Sequence, residues 1–243
     1  MRAIFSLTLA AAMAVAVMAA DNIPATGGDI VVTPITHGNV QVEHGGTVVI
    51  VDPWSRGDLS MAKPADVILV TDIHGDHLDP EAIAKVRKPG APVVMPAAVQ
   101  QEAGDAIPGP AVVMANGETR TVAGVTIEAV AMYNVRPNPE TGEIRHTKGR
   151  GNGYIVTLGG KRLYFAGDTE CTREMRALTK IDAAFLPMNP PNTMPPAEAA
   201  ECASAFKPVI AYPYHHRGQD PKEFAAGLEG QPVEVRILDW YPQ

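Results

Sequence analysis

Two cysteines, Cys171 and Cys202, are too few for a disulfide framework, so the fold must rest on an apolar core. Positive charge is also short: 20 lysines and arginines against 27 aspartates and glutamates give a formal net charge of -7. That balance argues against a general nucleic-acid binder, which presents a basic face. After the first twenty residues no segment approaches the ~20 consecutive apolar residues of a membrane-spanning helix. No repeat of solenoid period is present, and no Ser/Gly or Pro linker marks a place to divide the chain. What is left, 243 residues of 46% hydrophobic and 19% charged composition, suits one α/β domain.

The first twenty residues read differently. Arg2 supplies a short positive start, Ile4 to Val17 are apolar, and Val17-Met18-Ala19-Ala20 offers small residues before the polar Asp21-Asn22. This pattern predicts a signal peptide over residues 1–20, a mature domain over 21–243, and a periplasmic or secreted protein with no stable membrane span after cleavage. An uncleaved N-terminal anchor is the alternative. No Cys follows the apolar run, so a lipoprotein anchor is not indicated. An oxidising compartment would permit a Cys171–Cys202 disulfide. Cys171 as a free thiol and Cys202 as a core residue is the other reading.

Short β-type runs open the mature part at Ile30–Thr33, Asn39–Val42 and Thr47–Val51, with Gly38 and Gly45-Gly46 as turns. A buried strand at Val67–Val70 follows. Asp79-Pro80-Glu81 then has the order of an N-cap, a first-turn proline and a first-turn acid, and predicts a helix over Pro80–Arg87. Further runs predict strands at Val93–Met95, Ala111–Met114, Glu118–Val122, Val125–Met132, Tyr154–Leu158 and Arg162–Ala166, with a helix at Ala97–Ala103. A loop rich in Pro, Gly and charge covers Asn134–Gly153. The end of the chain alternates strand and helix, with strands at Ala183–Leu186, Val209–Tyr212 and Val233–Leu238. Its helices lie at Pro196–Phe206 and after Asp220-Pro221. The pattern implies two sheets packed together with helices outside.

Chemistry concentrates in Asp72-Ile73-His74-Gly75-Asp76-His77, where four metal-capable side chains fall within six residues between a buried strand and a capped helix. A strand-to-helix turn projects neighbouring side chains into one space at the sheet edge, and imidazole with carboxylate suits zinc, iron and similar ions. Gly167-Asp168-Thr169 and Pro213-Tyr214-His215-His216 stand at two further strand ends. Each alone reads as an ordinary turn or a surface histidine; together, in this order, they are far more specific.

The order Asp-x-His-x-Asp-His, Gly-Asp-Thr, strand-end His resembles the metallo-β-lactamase superfamily, over nearly the whole mature chain from Thr36-His37-Gly38 to His215. The branch it is similar to includes hydrolases of the ascorbate-phosphate lactonase type. The resemblance implies an αβ/βα sandwich of two mixed β-sheets flanked by helices, and two divalent ions, zinc by default, at one edge. It assigns Asp76, His77, Asp168 and His215 to the second ion, with Asp168 bridging, and His74, Asp168 and the first motif residue to the first ion. Asp76 would also orient the nucleophile, a metal-bound hydroxide, and His37 and Asp52 would keep ligands in register.

The sequence departs from that pattern twice. Asp72 stands where the family has its first His, and Asn134, after Tyr133, stands where another first-ion His follows the strand at Val125–Met132. Oxygen donors there would favour manganese or iron. His146 could fold back to replace the missing imidazole or be a solvated loop residue, and a site with only the second ion is a further reading. Tyr133, His146 and His216 are the candidates for donating a proton to the leaving group; His44 reads as an exposed turn. Arg136, Arg145, Lys148 and Arg150 could bind an anionic substrate or simply be solvated. Asn189 and Asn192 follow another strand end and could line the pocket. The functional expectation is an exported hydrolase of a small ester, lactone or phosphodiester. The alternative is a non-catalytic metal-binding protein with a degraded first site. Asp168 in place of Cys disfavours a true β-lactamase.

Overall fold

The chain winds as β1 (Val17–Met18), β2 (Asp21–Ile23), β3 (Ile30–Thr36), β4 (Asn39–His44), β5 (Thr47–Val51), β6 (Val67–Leu69), α1 (Pro80–Val86), β7 (Val93–Met95), α2 (Ala97–Ala103) and β8 (Ala111–Val113). It continues through β9 (Thr119–Val122), β10 (Val125–Met132), β11 (Gly151–Leu158), β12 (Lys161–Phe165), α3 (Arg173–Arg176), β13 (Ala183–Pro187), α4 (Pro196–Phe206), β14 (Ile210–Tyr214), α5 (Pro221–Gly227), β15 (Glu234–Val235) and β16 (Ile237–Leu238). These come from a computed structural model that describes residues 17–18 and 20–241. The predicted leader therefore falls almost wholly outside the described residues; Val17 and Met18 pair in parallel with Ile237 and Leu238. Among the described residues no helix is long and apolar enough to cross a membrane.

Each half of the chain builds one seven-stranded sheet. The first runs β2-β3-β4-β5-β6-β7-β8 and the second β15-β14-β13-β12-β11-β10-β9. In both, antiparallel hairpins give way to parallel strands: β6 to β8 after β5, and β13 to β15 after β12. The two mixed sheets flanked by helices are the expected sandwich. Val125, Ile127 and Ala129 of β10 are buried while Thr126, Glu128 and Val130 are half-buried, the period of two of a strand with one face on a core. That core lies between the sheets, where Val32, Val51, Leu69, Ile127, Val156, Phe165 and Trp240 meet.

Helices cover the outer faces. Ile83, Val86 and Val99 of α1 and α2 pack on Ile50, Ile68 and Val93; Met175, Ala199, Cys202, Ala203 and Phe224 of α3 to α5 pack on Ile155, Tyr164 and Leu186. The Asp79 carboxylate accepts a hydrogen bond from Ala82 N at 3.0 Å, so α1 begins at the predicted cap. Cys171 and Cys202 form a disulfide that ties the segment after Asp168 to α4; Cys171 is therefore not a free thiol.

Some boundaries depart from the sequence reading: the single strand expected over Val233–Leu238 is two short ones, β15 and β16, in different sheets. Gly151-Asn152-Gly153, taken as loop, opens β11. A Cβ on Gly151 would lie 2.1 Å from Met132 Cε and 2.9 Å from the Thr71 carbonyl, and one on Gly153 would lie 2.9 Å from the Ala166 carbonyl. These glycines let β11 pass close to its neighbours at the edge where the sheets meet, a use that composition alone reads as a turn.

Candidate metal centre

Parallel strands of both sheets end at one edge, and each end delivers part of the site. The turn after β6 carries Asp72 to His77, the turn after β12 carries Asp168, and the residue after β14 is His215. Gly167 makes the second turn possible: its φ is +66°, and a Cβ would lie 2.5 Å from Met132 Sδ and 3.0 Å from Thr71 Cβ.

The donors fall into overlapping groups: Asp72, His74 and His146; His77, Asp168 and His215; and His37, Asp76 and His215, with ligand atoms within 4.8 Å of one another in each. Asp168 joins the first two. Its Oδ2 lies 3.4 Å from His77 Nε2 and 3.3 Å from His146 Nε2, and its Oδ1 lies 3.3 Å from His215 Nε2. Asp76 Oδ2 is 3.6 Å from His215 Nε2. His74 Nδ1 lies 2.6 Å from Asp72 Oδ2 and 3.3 Å from His146 Nε2.

A cation fits this donor set. Two ligands ~2.1 Å from one ion at a tetrahedral angle stand about 3.3–3.4 Å apart, the spacing around Asp168. His77 Nε2, Asp168 Oδ1 and His215 Nε2 are buried without a hydrogen-bond partner, a costly state that an ion relieves. The tautomers agree. His77 Nδ1 faces Asp52 Oδ2 at 2.8 Å, an acceptor-only oxygen, so Nδ1 donates and leaves a lone pair on Nε2 when the ring is neutral. Asp52 is itself held by Thr71, which donates from N at 2.8 Å and from Oγ1 at 2.6 Å.

His146, the loop residue of uncertain place in the sequence, is fully buried here. Asn134 holds it: the Asn134 side-chain oxygen accepts from His146 N at 2.9 Å and from Nδ1 at 2.7 Å, while Asn134 Nδ2 donates to the Asn192 carbonyl at 2.9 Å. The His146 Nε2 lone pair is thereby turned to Asp168 and His74. Asn134 orients an imidazole and stands outside the donor groups.

Electrostatics follow from four buried or half-buried carboxylates, Asp52, Asp72, Asp76 and Asp168, in one small volume. Burial opposes charge on His77, but Asp168 and Asp52 on either side raise its pKa well above the ordinary value. Burial would raise Asp168, yet His215, His77 and His146 hold it well below the carboxylate range. Asp72 is held at about 2: burial works against ionisation, and the His74 hydrogen bond and the neighbouring imidazoles outweigh it. Burial raises Asp52 and lowers His37 to about 4. The negative potential of Asp168 and Asp52 that favours a proton on His77 favours a cation equally. Access is from the side of His74 and Asp76, whose side chains are 26% and 27% exposed.

Other expected residues lie apart. Tyr133 Oη donates to Glu174 at 2.8 Å. His216 packs edge-on against Tyr241, and His44 is half-buried with Nε2 3.0 Å from the Thr26 carbonyl. Of the charged loop, Arg136 pairs with Glu170 and Glu198, Lys148 with Glu174, and Arg150 with Asp72; Arg145 is exposed without an ion-pair partner. Arg150, expected either to bind an anionic substrate or to be solvated, instead faces Asp72, and Tyr241 was missed. An aromatic near the end of a chain carries no spacing signal that would have found it.

Comparison with known proteins agrees with this geometry. The Beta-lactamase superfamily domain matches residues 31–215. A UPF0173 metal-dependent hydrolase of Thermococcus onnurineus is 31% identical over 208 residues, covering 80% of this chain and 90% of its own; one from Thermococcus kodakarensis is 35% identical over 212 residues, with 80% and 90% covered. A crystal structure described as a metal-dependent hydrolase from Parabacteroides distasonis superposes with a TM-score of 0.81 at 38% identity, over 90% of this chain and 97% of that one. With the metal-type donors gathered at the sheet edge, these matches show that the chain belongs to the metallo-β-lactamase superfamily, as a metal-dependent hydrolase.

Proposed function

We propose that the protein is an exported hydrolase with two divalent ions, acting on a small anionic ester, lactone or phosphodiester. One ion would be held by Asp76, His77, Asp168 and His215, the other by Asp72, His74, His146 and Asp168. The observation that carries this reading is the buried, unpartnered His77 Nε2, Asp168 Oδ1 and His215 Nε2 facing one another at ligand spacing. When bound, the ions would supply a Lewis acid and water of lowered pKa. Each site as assigned sets two imidazoles beside two carboxylates, a donor set that suits zinc, with manganese or iron as the alternatives.

The chain's own groups do the positioning. Asp76 Oδ2 is held by His37 Nε2 at 3.2 Å; Oδ1, 3.9 Å from His77 Nε2, would accept a hydrogen from the attacking water. An anionic substrate is supported by three arginines. Among the described residues only Arg56, Arg145 and Arg217 have guanidinium groups without a carboxylate or carbonyl partner, and all three are exposed. Arg56 lies 5.5 Å from the Trp54 ring, which is 5.5 Å from His37; Arg145 precedes His146; and the charge of Arg217 acts on His37. The disulfide supports export, because such bonds persist in oxidising compartments.

The test is elemental analysis of protein purified without chelator, with hydrolysis of bis(p-nitrophenyl) phosphate, p-nitrophenyl acetate and a simple lactone. About two ions per chain and turnover lost in Asp168→Ala are expected. One ion or fewer without turnover would favour the non-catalytic reading, and full activity in Asp168→Ala would sink the assignment. Mass spectrometry of the exported form would show whether the chain starts at Asp21.

A further inference from the structure

We infer that Tyr241 is a positioning residue for the metal centre: its hydroxyl sets the tautomer and orientation of His37, and His37 in turn holds Asp76. The inference rests on Asp76 as a ligand in the proposed centre. Tyr241 lies beyond residues 31–215, the part matched by the family, so it is no property carried over from that match.

The segment after β16 is anchored by Trp240, whose ring is buried and packs against Tyr214 and Phe185 at 5.8 and 6.3 Å. From that anchor the chain grips His37 twice. The Trp240 carbonyl accepts from His37 N at 3.3 Å, and Tyr241 Oη lies 2.7 Å from His37 Nδ1. His37 is fully buried and has a φ of +53°, a left-handed conformation that a residue with a Cβ keeps only when its surroundings impose it. Its carbonyl accepts from His215 N at 3.0 Å, and its ring centroid lies 3.5 Å from that of His215. Tyr241, His37, Asp76 and His215 therefore form one connected unit.

Hydrogen placement follows from acceptor chemistry. His37 Nε2 faces Asp76 Oδ2 at 3.2 Å; the carboxylate can only accept, so Nε2 carries the hydrogen. In the neutral ring Nδ1 is then an acceptor, and the facing donor is the Tyr241 hydroxyl. The bonds run in one direction, Tyr241 to His37 to Asp76. Without the hydroxyl, a fully buried Nδ1 has no partner, which favours a rotated ring or the other tautomer, and either releases Asp76 Oδ2. Partners at this remove from a metal change its affinity about 10–100-fold.

Tyr241→Phe keeps the ring beside His216 and removes only the hydroxyl. Ring spectra of 15N-histidine-labelled protein, recorded metal-free, should show His37 with hydrogen on Nε2 in the wild type and a shifted, broadened ring signal in the variant. Zinc affinity, read by chelator competition, should fall about 10-fold or more. A merely structural role would lower the melting temperature and leave the tautomer alone. His37 ring signals identical to the wild type overturn the inference, as does unchanged zinc affinity in a wild type that binds zinc. A wild type that takes up neither zinc, manganese nor iron would instead remove the metal centre itself, and the ring spectrum would still decide the role of Tyr241.

Discussion

Arg150 grips Asp72 at two points, Nε to Oδ1 at 3.1 Å and Nη2 to Oδ2 at 3.0 Å. The fully buried carboxylate that stands where the family has its first histidine thus brings its own counter-ion. A neutral imidazole needs no such partner; an unpaired carboxylate at that depth would be costly. The fork geometry suits a carboxylate that must also face a cation, because it fixes the plane of the oxygens.

Replacing Arg150 by Met should therefore destabilise the protein by about 3 kcal/mol, the penalty for stranding one partner of a buried pair. In a chain of this size that lowers the melting temperature by about 6–12 °C. Calorimetry of wild type and variant checks it, and equal melting temperatures would show that Asp72 is balanced by other groups.

His146→Ala removes one imidazole from the first group only, since His146 approaches His74 and Asp168 and none of the other second-group donors is its partner. The expected result is a fall from about two bound ions to about one, counted by elemental analysis. Asn134→Ala leaves His146 in place but unguided, and should weaken the first ion's affinity about 10–100-fold. Unchanged metal content in His146→Ala would take His146 out of the site.

Cys171 and Cys202 are separated by 31 positions. Opening that loop with Cys171→Ser and Cys202→Ser should cost up to about 3–4 kcal/mol through the entropy of the unfolded chain. Urea denaturation with and without a reductant is the measurement: the reductant should destabilise the wild type and leave the double variant unchanged.

Glu174 carries a pH dependence away from the metals. Burial works to raise its pKa, but hydrogen bonds from Lys148 and Tyr133 bring it down from 4.5 to about 2. A carboxylate depressed in the folded state stabilises above its unfolded pKa, and the contribution is lost as pH falls towards the folded value. The stability gap between wild type and Glu174→Ala should hold from pH 7 to about 5 and close towards pH 2, with solvent screening keeping it below about 1 kcal/mol. A gap independent of pH would show that the ion pair contributes nothing.

Sequence by itself determined most of the elements and which metal-capable residues share one edge. Alternation in Val125–Met132, the cap at Asp79-Pro80 and the order of Asp72, His74, Asp76, His77, Asp168 and His215 are local signals. Residues close in the chain, or placed at successive strand ends, must share the edge that parallel strands create. Tertiary structure decided what depends on separated segments meeting. His146 was undecidable because a loop's tip has no periodicity to place it; Asn134 and the Asn192 carbonyl bring it in. Arg150 could not be told from a solvated arginine until Asp72 was found buried against it. The cysteines could not be paired by counting, and Tyr241 gave no signal, because its role exists only where the chain's final segment returns to the first hairpin and meets His37.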